Sequence, residues 1–399
     1  MKSCGMSSNS PPPESALDRP APRRIGQICV VALFALALIA PVLGQLAGWG
    51  TGGNAEVLTK RPILQASNLS AFIDQSERWI DDNFGFRRPL IQLNAAVLSL
   101  VGASASRDVL IGRDGWLFYR GNDSIEQHRG LENYSESELA AYVTALEARR
   151  RWLEKLGTRM VLLVAPDKST IYPEYLVPQV TQVAPTRLDQ LVAATAGTGI
   201  FFLDLRPALR VAKSTGPLYY KTDTHWTPMG AYVALNELLH ALHPAFPKLD
   251  TLRAGAWTFD RAFFAGGDLM HMLDNPWNAH EIMPVAVRNF PDQVRAHQSQ
   301  AVPMPLGNLV WARDFDGSIA VTSRADRPKL LVIGDSFSVA LLPFLQQEFS
   351  QVAFVAYRDS SFGEYPFVER YRPDIVLFET VERFLEAIPS NPTEISHEH

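Results

Sequence analysis

Short apolar runs alternate with helical patterns over most of the chain. Fully apolar strands that alternate with helices are typical of a parallel sheet covered on both faces. Five runs have the length and composition of buried strands: Met160–Ala165, Ile200–Leu203, Leu330–Ile333, Val352–Ala356 and Ile375–Phe378. Four nearby segments have helical periodicity: Thr186–Ala196, Met229–Leu242, Ser338–Phe349 and Val381–Ala387. The pattern predicts an α/β fold with one parallel sheet flanked by helices.

Before the first of these strands, local signals predict a hairpin and three helices. Val109–Ile111 and Trp116–Tyr119 flank an Asp-Gly turn, which is typical of a β-hairpin. Ser135 and Glu138 form a capping box that opens a helix running to about Leu156. The segments 67–84 and 90–101 also have apolar residues at helical spacing.

The N-terminal region contains an uncharged stretch, Ile25–Ala47, directly after Arg23 and Arg24. A helix needs about 20 apolar residues to cross a bilayer, and basic residues stay on the cytoplasmic side. We therefore expect an uncleaved single-pass transmembrane helix with the rest of the chain outside the cytoplasm. A cleaved signal peptide is the main alternative, although its apolar region is usually about 7–15 residues. A buried core helix is the third interpretation.

These patterns divide the chain into consecutive regions. We expect a cytoplasmic tail over 1–24, the anchor over 25–47, a linker over 48–66, one domain over 67–388 and a tail over 389–399. Within the domain, residues 243–327 are rich in Pro, Gly, Asn and Trp and interrupt the strand–helix alternation. We interpret that stretch as a long insertion.

The composition argues against nucleic-acid binding and against cysteine-based sites. The 399 residues carry 37 Lys and Arg against 42 Asp and Glu, a net charge of −5, so no basic excess is present to bind nucleic-acid phosphates. The only cysteines are Cys4 and Cys29, both near the N-terminus. The predicted domain therefore has neither a disulfide nor a cysteine metal site.

The first candidate site is the segment Gly334-Asp335-Ser336 at the end of an apolar strand. A helix is predicted to follow, and its free N–H groups could hold an oxyanion formed by attack of Ser336. Ligand sites in open α/β sheets lie at this carboxyl edge. The alternative is that Asp335 or Ser336 simply caps the helix.

The second candidate site is the pair Asp223 and His225, which lie two residues apart before Pro228 and a predicted helix. In an extended segment such side chains share a face. A carboxylate beside an imidazole fixes its tautomer, as the base of a serine nucleophile requires. A surface ion pair and a metal site are the alternatives, but no second histidine stands at ligand spacing nearby.

The two segments together, with several others, resemble the alginate O-acetyltransferase proteins of the AlgJ/AlgX type, a branch of the SGNH hydrolase-like superfamily. The matching segments are Asp114–Phe118, Val164–Lys168 with Tyr172-Pro173, Thr222–Trp226, Gly267–Leu269, Gly334–Ser338 and Val381–Arg383. As in that branch, the Asp/His pair precedes the serine. The short stretch after Phe384 has no room for a C-terminal carbohydrate-binding module, so the chain is more similar to the AlgJ type.

The resemblance implies an SGNH hydrolase-like fold with Ser336 as nucleophile, His225 as base and Asp223 as its orienting acid. It implies a periplasmic O-acetyltransferase held in the cell inner membrane and acting on an exopolysaccharide through an acetyl-serine. A membrane-bound O-acyltransferase would supply the acetyl groups, and neither a metal nor a cofactor is expected. An acetylesterase and a non-catalytic polysaccharide-binding or secretion subunit remain the alternatives.

Other polar residues near the motifs receive structural interpretations. We expect Lys168 to be solvated, Glu382 and Arg383 to form an ion pair, and Asp268 to organise a loop. The family's usual oxyanion asparagine has no clear counterpart, because Glu379 and Thr380 stand in its place, so the second oxyanion donor stays unassigned. Gly363 is a candidate for the family's oxyanion glycine. The residues that could stack on sugar rings are Trp257, Trp277 and Trp311.

Overall fold

The computed structural model describes ten stretches of the chain and divides it into two compact units. The described residues are 22–47, 59–63, 68–83, 85–249, 257–273, 281–288, 319–321, 325–356, 368–369 and 371–387. The first unit is Met1–Leu93 and the second is Asn94–His399.

The first unit begins with helix α1, Pro22–Leu46. Its segment Gly26–Gln45 has a mean hydropathy of 2.4 and is long and apolar enough to cross a membrane, in agreement with the expected span. Two amphipathic helices follow, α2 over Leu69–Asn83 and α3 over Arg87–Leu100, close to the positions that periodicity predicts. Helix α3 runs on from the first unit into the second.

The second unit alternates strands and helices, as the sequence predicts. Its strands are β1 (Val109–Ile111), β2 (Leu117–Tyr119), β3 (Arg159–Ala165), β4 (Phe202–Asp204), β5 (Trp257–Phe264), β6 (Glu281–Arg288), β7 (Ile319–Val321), β8 (Lys329–Gly334), β9 (Gln351–Ala356) and β10 (Ile375–Val381). Its helices are α4 (Ser124–Arg129), α5 (Glu136–Lys155), α6 (Lys168–Ile171), α7 (Arg187–Thr195), α8 (Arg206–Ala212), α9 (Pro228–Leu242), α10 (Asp268–Leu273) and α11 (Ser338–Glu348).

The main sheet has the strand order β4-β3-β10-β8-β9-β7. The five strands expected from the sequence are all parallel to one another, which confirms the predicted α/β class. The sixth strand, β7, was not predicted and pairs antiparallel with the edge of β9. It lies inside the stretch 243–327 interpreted as an insertion, so part of that stretch belongs to the sheet.

The core lies on both faces of this sheet, because alternate residues of a strand point to opposite sides. On one face, residues such as Val161 and Val332 pack with helices α8, α9 and α11. On the other face, Leu162 and Leu331 pack with α5 and α7. All seven residues of β10 are buried, since this strand lies between β3 and β8 in the middle of the sheet.

Local signals at the borders of the sheet also match the sequence. Strands β1 and β2 form the expected antiparallel hairpin, although Trp116 lies in the turn. Ser135 and Glu138 make the reciprocal hydrogen bonds of a capping box at the start of α5. The segment after β10, Glu382–Ala387, is a 3₁₀-helix rather than the expected α-helix. Strands β5 and β6 form a separate antiparallel pair within 243–327.

Candidate active site

The carboxyl ends of parallel strands meet at one edge of the sheet, and the candidate residues lie there. Ser336 follows β8, and Lys168 follows β3. Asp223 and His225 lie in the loop before helix α9, and His225 contacts Ser336 at the same edge. The sheet thus brings together residues that lie more than a hundred positions apart in the sequence.

The structure joins the three predicted site residues in one chain of hydrogen bonds. His225 Nε2 lies 2.7 Å from Ser336 Oγ, and His225 Nδ1 lies 2.7 Å from Asp223 Oδ1. Both distances are within hydrogen-bond reach. Ser336 is exposed, whereas the Asp223 side chain is only 15% exposed. The hydroxyl is therefore open to a substrate, and the carboxylate that orients the imidazole is shielded from water.

A tight turn, rather than an extended strand, brings Asp223 to the imidazole. The backbone N–H of His225 donates a 2.9 Å hydrogen bond to Asp223 Oδ1, the same oxygen that contacts the ring. Residues 219 and 226 pair as an isolated antiparallel bridge and close the base of this loop. Thr227 then caps α9 by accepting from Gly230 N, and Pro228 occupies its first turn.

The electrostatics of Asp223 favour its ionised form. Burial acts to raise the pKa of Asp223, but the hydrogen bond and the charge of His225 outweigh that effect and lower it. The N–H of Asp268 adds a 3.1 Å hydrogen bond to Asp223 Oδ2. An ionised, shielded carboxylate beside Nδ1 is the arrangement that stabilises an imidazolium.

Asp268 is a second carboxylate beside the imidazole. Its Oδ2 lies 3.7 Å from His225 Nδ1. Thr224 holds it in place, since the Thr224 N–H donates to Oδ1 at 2.7 Å and the Thr224 hydroxyl donates to Oδ2 at 2.5 Å. Asp268 therefore organises a loop, as the sequence analysis expected, and also adds negative charge next to the base.

Asp223, His225 and Asp268 are also close enough to hold a metal ion, because one ligand atom of each lies within 4.8 Å of the others. Their oxygens, however, already accept hydrogen bonds from backbone N–H groups and a hydroxyl. His225 Nδ1 already contacts Asp223 Oδ1 at 2.7 Å, so a cation bound by this nitrogen would have to displace that hydrogen bond. The chemistry of the cluster fits a proton-transfer base better than a metal centre.

The start of α11 supplies backbone donors next to the nucleophile. Phe337 N donates to the Asp335 side chain, and Ser338 N donates to the Asp335 carbonyl. Within the described stretches no acceptor faces the N–H of Ser336, so this group is available to an oxyanion. The candidate glycine, Gly363, lies outside the described residues.

Comparison with known proteins gives the family. The family model for the SGNH hydrolase-like domain, acetyltransferase AlgX, matches residues 109–363, which is more than half of the chain. The chain belongs to the AlgX family. All three predicted site residues, Ser336, His225 and Asp223, lie within the matched stretch.

Several relatives of the chain are named for alginate. The probable alginate O-acetylase AlgJ of Pseudomonas syringae is 33% identical over 173 residues, which cover 43% of each chain. The probable alginate O-acetylase AlgJ of Pseudomonas aeruginosa is 28% identical over 315 residues, 76% of this chain and 73% of the relative. The solved O-acetyltransferase domain of Pseudomonas putida AlgJ aligns with a TM-score of 0.47 and 22% identity, covering 72% and 94% of the two chains.

In this AlgX-family chain, Lys168 is buried, so the expectation that it is solvated is wrong. Its Nζ donates to three backbone carbonyls, those of Tyr220, Lys221 and Asp223, at 2.7–3.0 Å. Burial lowers the pKa of Lys168 to about 7, against the opposing charges of Asp223 and Asp268. The three acceptors match the three hydrogens of an ammonium group. Lys168 thus fixes the backbone of the loop that carries Asp223.

The expected ion pair between Glu382 and Arg383 is also wrong. Arg383 pairs with Asp167, and Glu382 accepts hydrogen bonds from Asp167 N at 2.9 Å and from the Thr170 hydroxyl at 2.7 Å. Burial, with the nearby charge of Asp167, raises the pKa of Glu382 to about 7. Glu382 and Arg383 are adjacent after β10 but point in different directions, so their proximity in sequence did not predict their partners.

The sequence indicated no role for Glu379, yet this residue lies directly beneath the turn that carries Ser336. Its Oε2 accepts from the Ser338 hydroxyl at 2.6 Å and from Asp335 N at 3.3 Å, and the side chain is completely buried. Burial, and then the charge of Asp335, raises the pKa of Glu379 well above its usual range. Its Oε1 has no hydrogen-bond partner among the described groups, and burial also raises the pKa of the neighbouring Asp335. The available signal was a glutamate at the end of an apolar central strand.

The tryptophans proposed to stack on sugars find limited support. Trp257 is partly buried and packs edge-on against Phe344, with the ring centroids 4.5 Å apart. Trp277 and Trp311 lie outside the described residues. The described part of the chain therefore does not assign a sugar-stacking role to any of the three.

Proposed function

We propose that this chain is an O-acetyltransferase that transfers acetyl groups onto an exopolysaccharide through an acetyl-serine on Ser336. The observation that carries the proposal is the hydrogen-bonded chain from the exposed Ser336 hydroxyl through His225 to the shielded Asp223. The membership in the AlgX family and the names of the AlgJ relatives support acetyl transfer as the reaction.

In the first half-reaction, Ser336 Oγ attacks the carbonyl carbon of an acetyl donor while its proton moves to His225 Nε2. The oxyanion lies beside the N–H of Ser336 and the positive end of α11. When the carbonyl re-forms, the leaving group departs with the proton from Nε2. Asp223 and Asp268 stabilise the imidazolium that exists between the two proton transfers.

In the second half-reaction, a sugar hydroxyl loses its proton to His225 Nε2 and attacks the acetyl carbonyl of the acetylated serine. Collapse of the second tetrahedral intermediate returns the proton to Ser336 Oγ and releases the acetylated glycan. We propose a membrane-bound O-acyltransferase as the source of the acetyl group. No step of this sequence requires a metal or a cofactor.

The decisive experiment measures acetylation of the intact protein by mass spectrometry after mixing with an activated acetyl ester. The wild type should gain one acetyl group on the peptide that contains Ser336, and Ser336→Ala should gain none there. Ser137→Ala is the matched control, because this exposed serine lies on α5 away from the site and its loss should leave labelling unchanged. A folded Ser336→Ala protein that turns over the ester at the wild-type rate would refute Ser336 as the nucleophile.

The same assay separates the three candidate functions. Addition of alginate oligosaccharides, followed by other glycans, should move the acetyl group to a sugar hydroxyl if the protein is a transferase. Release of free acetate with no acetylated glycan would instead indicate an esterase. A wild-type protein that never becomes acetylated, yet binds polysaccharide, would indicate a non-catalytic subunit.

We propose that α1 anchors the protein in the inner membrane and that the catalytic unit faces the periplasm. The apolar segment Gly26–Gln45 and the preceding Arg23 and Arg24 support this orientation. An alkaline phosphatase fused after Trp49 should be active, because that enzyme needs the periplasm. An inactive fusion, together with fluorescence of a cytoplasmic reporter at the same position, would reverse the assigned topology.

A further inference from the structure

Helix α2 is amphipathic, and its apolar face is exposed. Leu69, Ile73 and Ile80 are 51–61% exposed, and their spacing of four and seven residues places them on one face. Asp74 and Arg78 lie on the opposite side of the helical wheel. No residue of α2 is buried, so its apolar face makes no extensive contact with the described part of the protein.

Helix α3 carries a similar stripe. Leu90, Leu93, Val97 and Leu100 follow one another at intervals of three, four and three residues, and each is at least 51% exposed. The opposite side of α3 contains Ala95, which is fully buried. One side of α3 therefore faces protein, and the other presents a continuous apolar stripe. A soluble monomer rarely exposes large contiguous apolar surfaces without a partner.

The turn between the two helices packs against the end of the candidate membrane span. Gly85 lies so close to α1 that a side chain there would overlap Pro41 O and Gln45 N. The ring of Phe86 covers Gly44, which is buried. Because Gln45 is the last residue of the apolar segment Gly26–Gln45, the turn lies at the end of the proposed membrane span. This contact indicates that lipid is the apolar medium available to the two stripes.

We infer that α2 and α3 form an interfacial hairpin, Leu69–Leu100, whose apolar stripes lie in the lipid surface of the same bilayer that α1 crosses. Amphipathic helices of this kind bury their apolar face at the boundary between headgroups and acyl chains. The inference rests on the proposed anchor, because the bilayer is identified through α1. The hairpin would hold the protein close to the membrane on which the acetyl donor is proposed to reside.

The test places spin labels on the full-length protein in vesicles of phosphatidylethanolamine and phosphatidylglycerol. Cys4 and Cys29 are replaced by serine, and single cysteines are introduced at Ile73, Leu93 and Val97. Collision with oxygen, which concentrates in lipid, is compared with collision with a polar nickel chelate. Stripe labels should collide more with oxygen than with the chelate, which is the behaviour of a lipid-facing site.

Matched controls separate this inference from the anchor and from the enzyme activity. Labels at Asp74 and Arg78, on the charged side of α2, should show the reverse preference, and a label at Leu36 in α1 reports whether the span is inserted. If Leu36 is lipid-exposed while the stripe labels favour the chelate, the interfacial hairpin is wrong and the anchor stands. Low collision with both reagents at the stripe would show that a protein covers it, which also overturns the inference. Acetylation of Ser336 affects none of these readouts.

Discussion

Replacing Glu379 by glutamine should stabilise the protein at neutral pH, although the residue is completely buried and hydrogen-bonded. The burial that raises the pKa of Glu379 means that the folded protein keeps the carboxyl protonated. The unfolded chain releases this proton above a pKa of 4.5. Glutamine is neutral at every pH, and its amide oxygen can accept the same hydrogen bonds from the Ser338 hydroxyl and Asp335 N.

The magnitude follows from proton linkage. Above pH 4.5 the folded state binds one more proton than the unfolded state, so the free energy of unfolding of the wild type falls as pH rises. The loss is about 1.4 kcal/mol for each pH unit between 4.5 and the raised pKa of the folded state. Glu379→Gln lacks this loss. Its advantage over the wild type should therefore be small near pH 4 and grow by about 1.4 kcal/mol per pH unit until the pH reaches the raised pKa of the folded carboxyl.

Urea unfolding followed by tryptophan fluorescence, at several pH values from 4.5 to 7.5, measures the difference. Glu379→Ala is the comparison, because it removes the acceptor from two buried donors, the Ser338 hydroxyl and Asp335 N. It should lose about 4 kcal/mol, since each unsatisfied buried donor costs about 1–3 kcal/mol. A constant gap between Glu379→Gln and the wild type across this pH range would refute the assignment of a neutral acid, as would a glutamine variant as unstable as the alanine variant.

Three further substitutions test the surroundings of the base. Asp268→Asn should lower kcat/KM about tenfold, because a charge about 4 Å from His225 Nδ1 in a partly exposed site contributes roughly 1–4 kcal/mol. Unchanged steady-state ester turnover would exclude an electrostatic role for Asp268. Lys168→Met should lower the free energy of unfolding by about 3 kcal/mol in urea titrations, because three carbonyls lose their donor. Gly267→Ala should reduce kcat more than it changes KM, because the new methyl group would overlap the Asp223 side chain. Wild-type kinetics for that variant would show that Asp223 can move without loss.

The sequence was sufficient to predict the parallel sheet, because the central strands are apolar on both faces. Val161, Leu162, Val332 and Phe378 need no partner of special chemistry, only burial, and their runs are bounded by turn residues. Strand β7 escaped prediction because it is a three-residue edge strand within a stretch of irregular composition. Such a strand is defined by pairing with β9, which is a long-range contact that periodicity does not reveal.

The candidate site was predictable to the extent that its residues lie in local motifs. Ser336 and the Asp223/His225 pair were found because strand ends and turn-forming pairs have recognisable spacing. Lys168 and Glu379 were misjudged or missed, since a charged side chain is exposed by default and its burial depends on distant partners. Lys168 is buried because carbonyls more than fifty residues away surround its amine, and Glu379 because its neighbouring strands cover it.

The central position of β10 has a consequence for the proposed export of the protein from its N-terminus onward. Strand β10 pairs with β3 on one side and with β8 on the other, although it is the last strand of the sheet in sequence. The two halves of the sheet cannot join until Ile375–Val381 has emerged, and long-range pairing of this kind is slow. Before that moment Glu379 is missing from beneath the Ser336 turn. Under the proposed export, a chain that has not yet released Ile375–Val381 would lack the assembled site, and Ser336 would become competent only after β10 has joined the sheet.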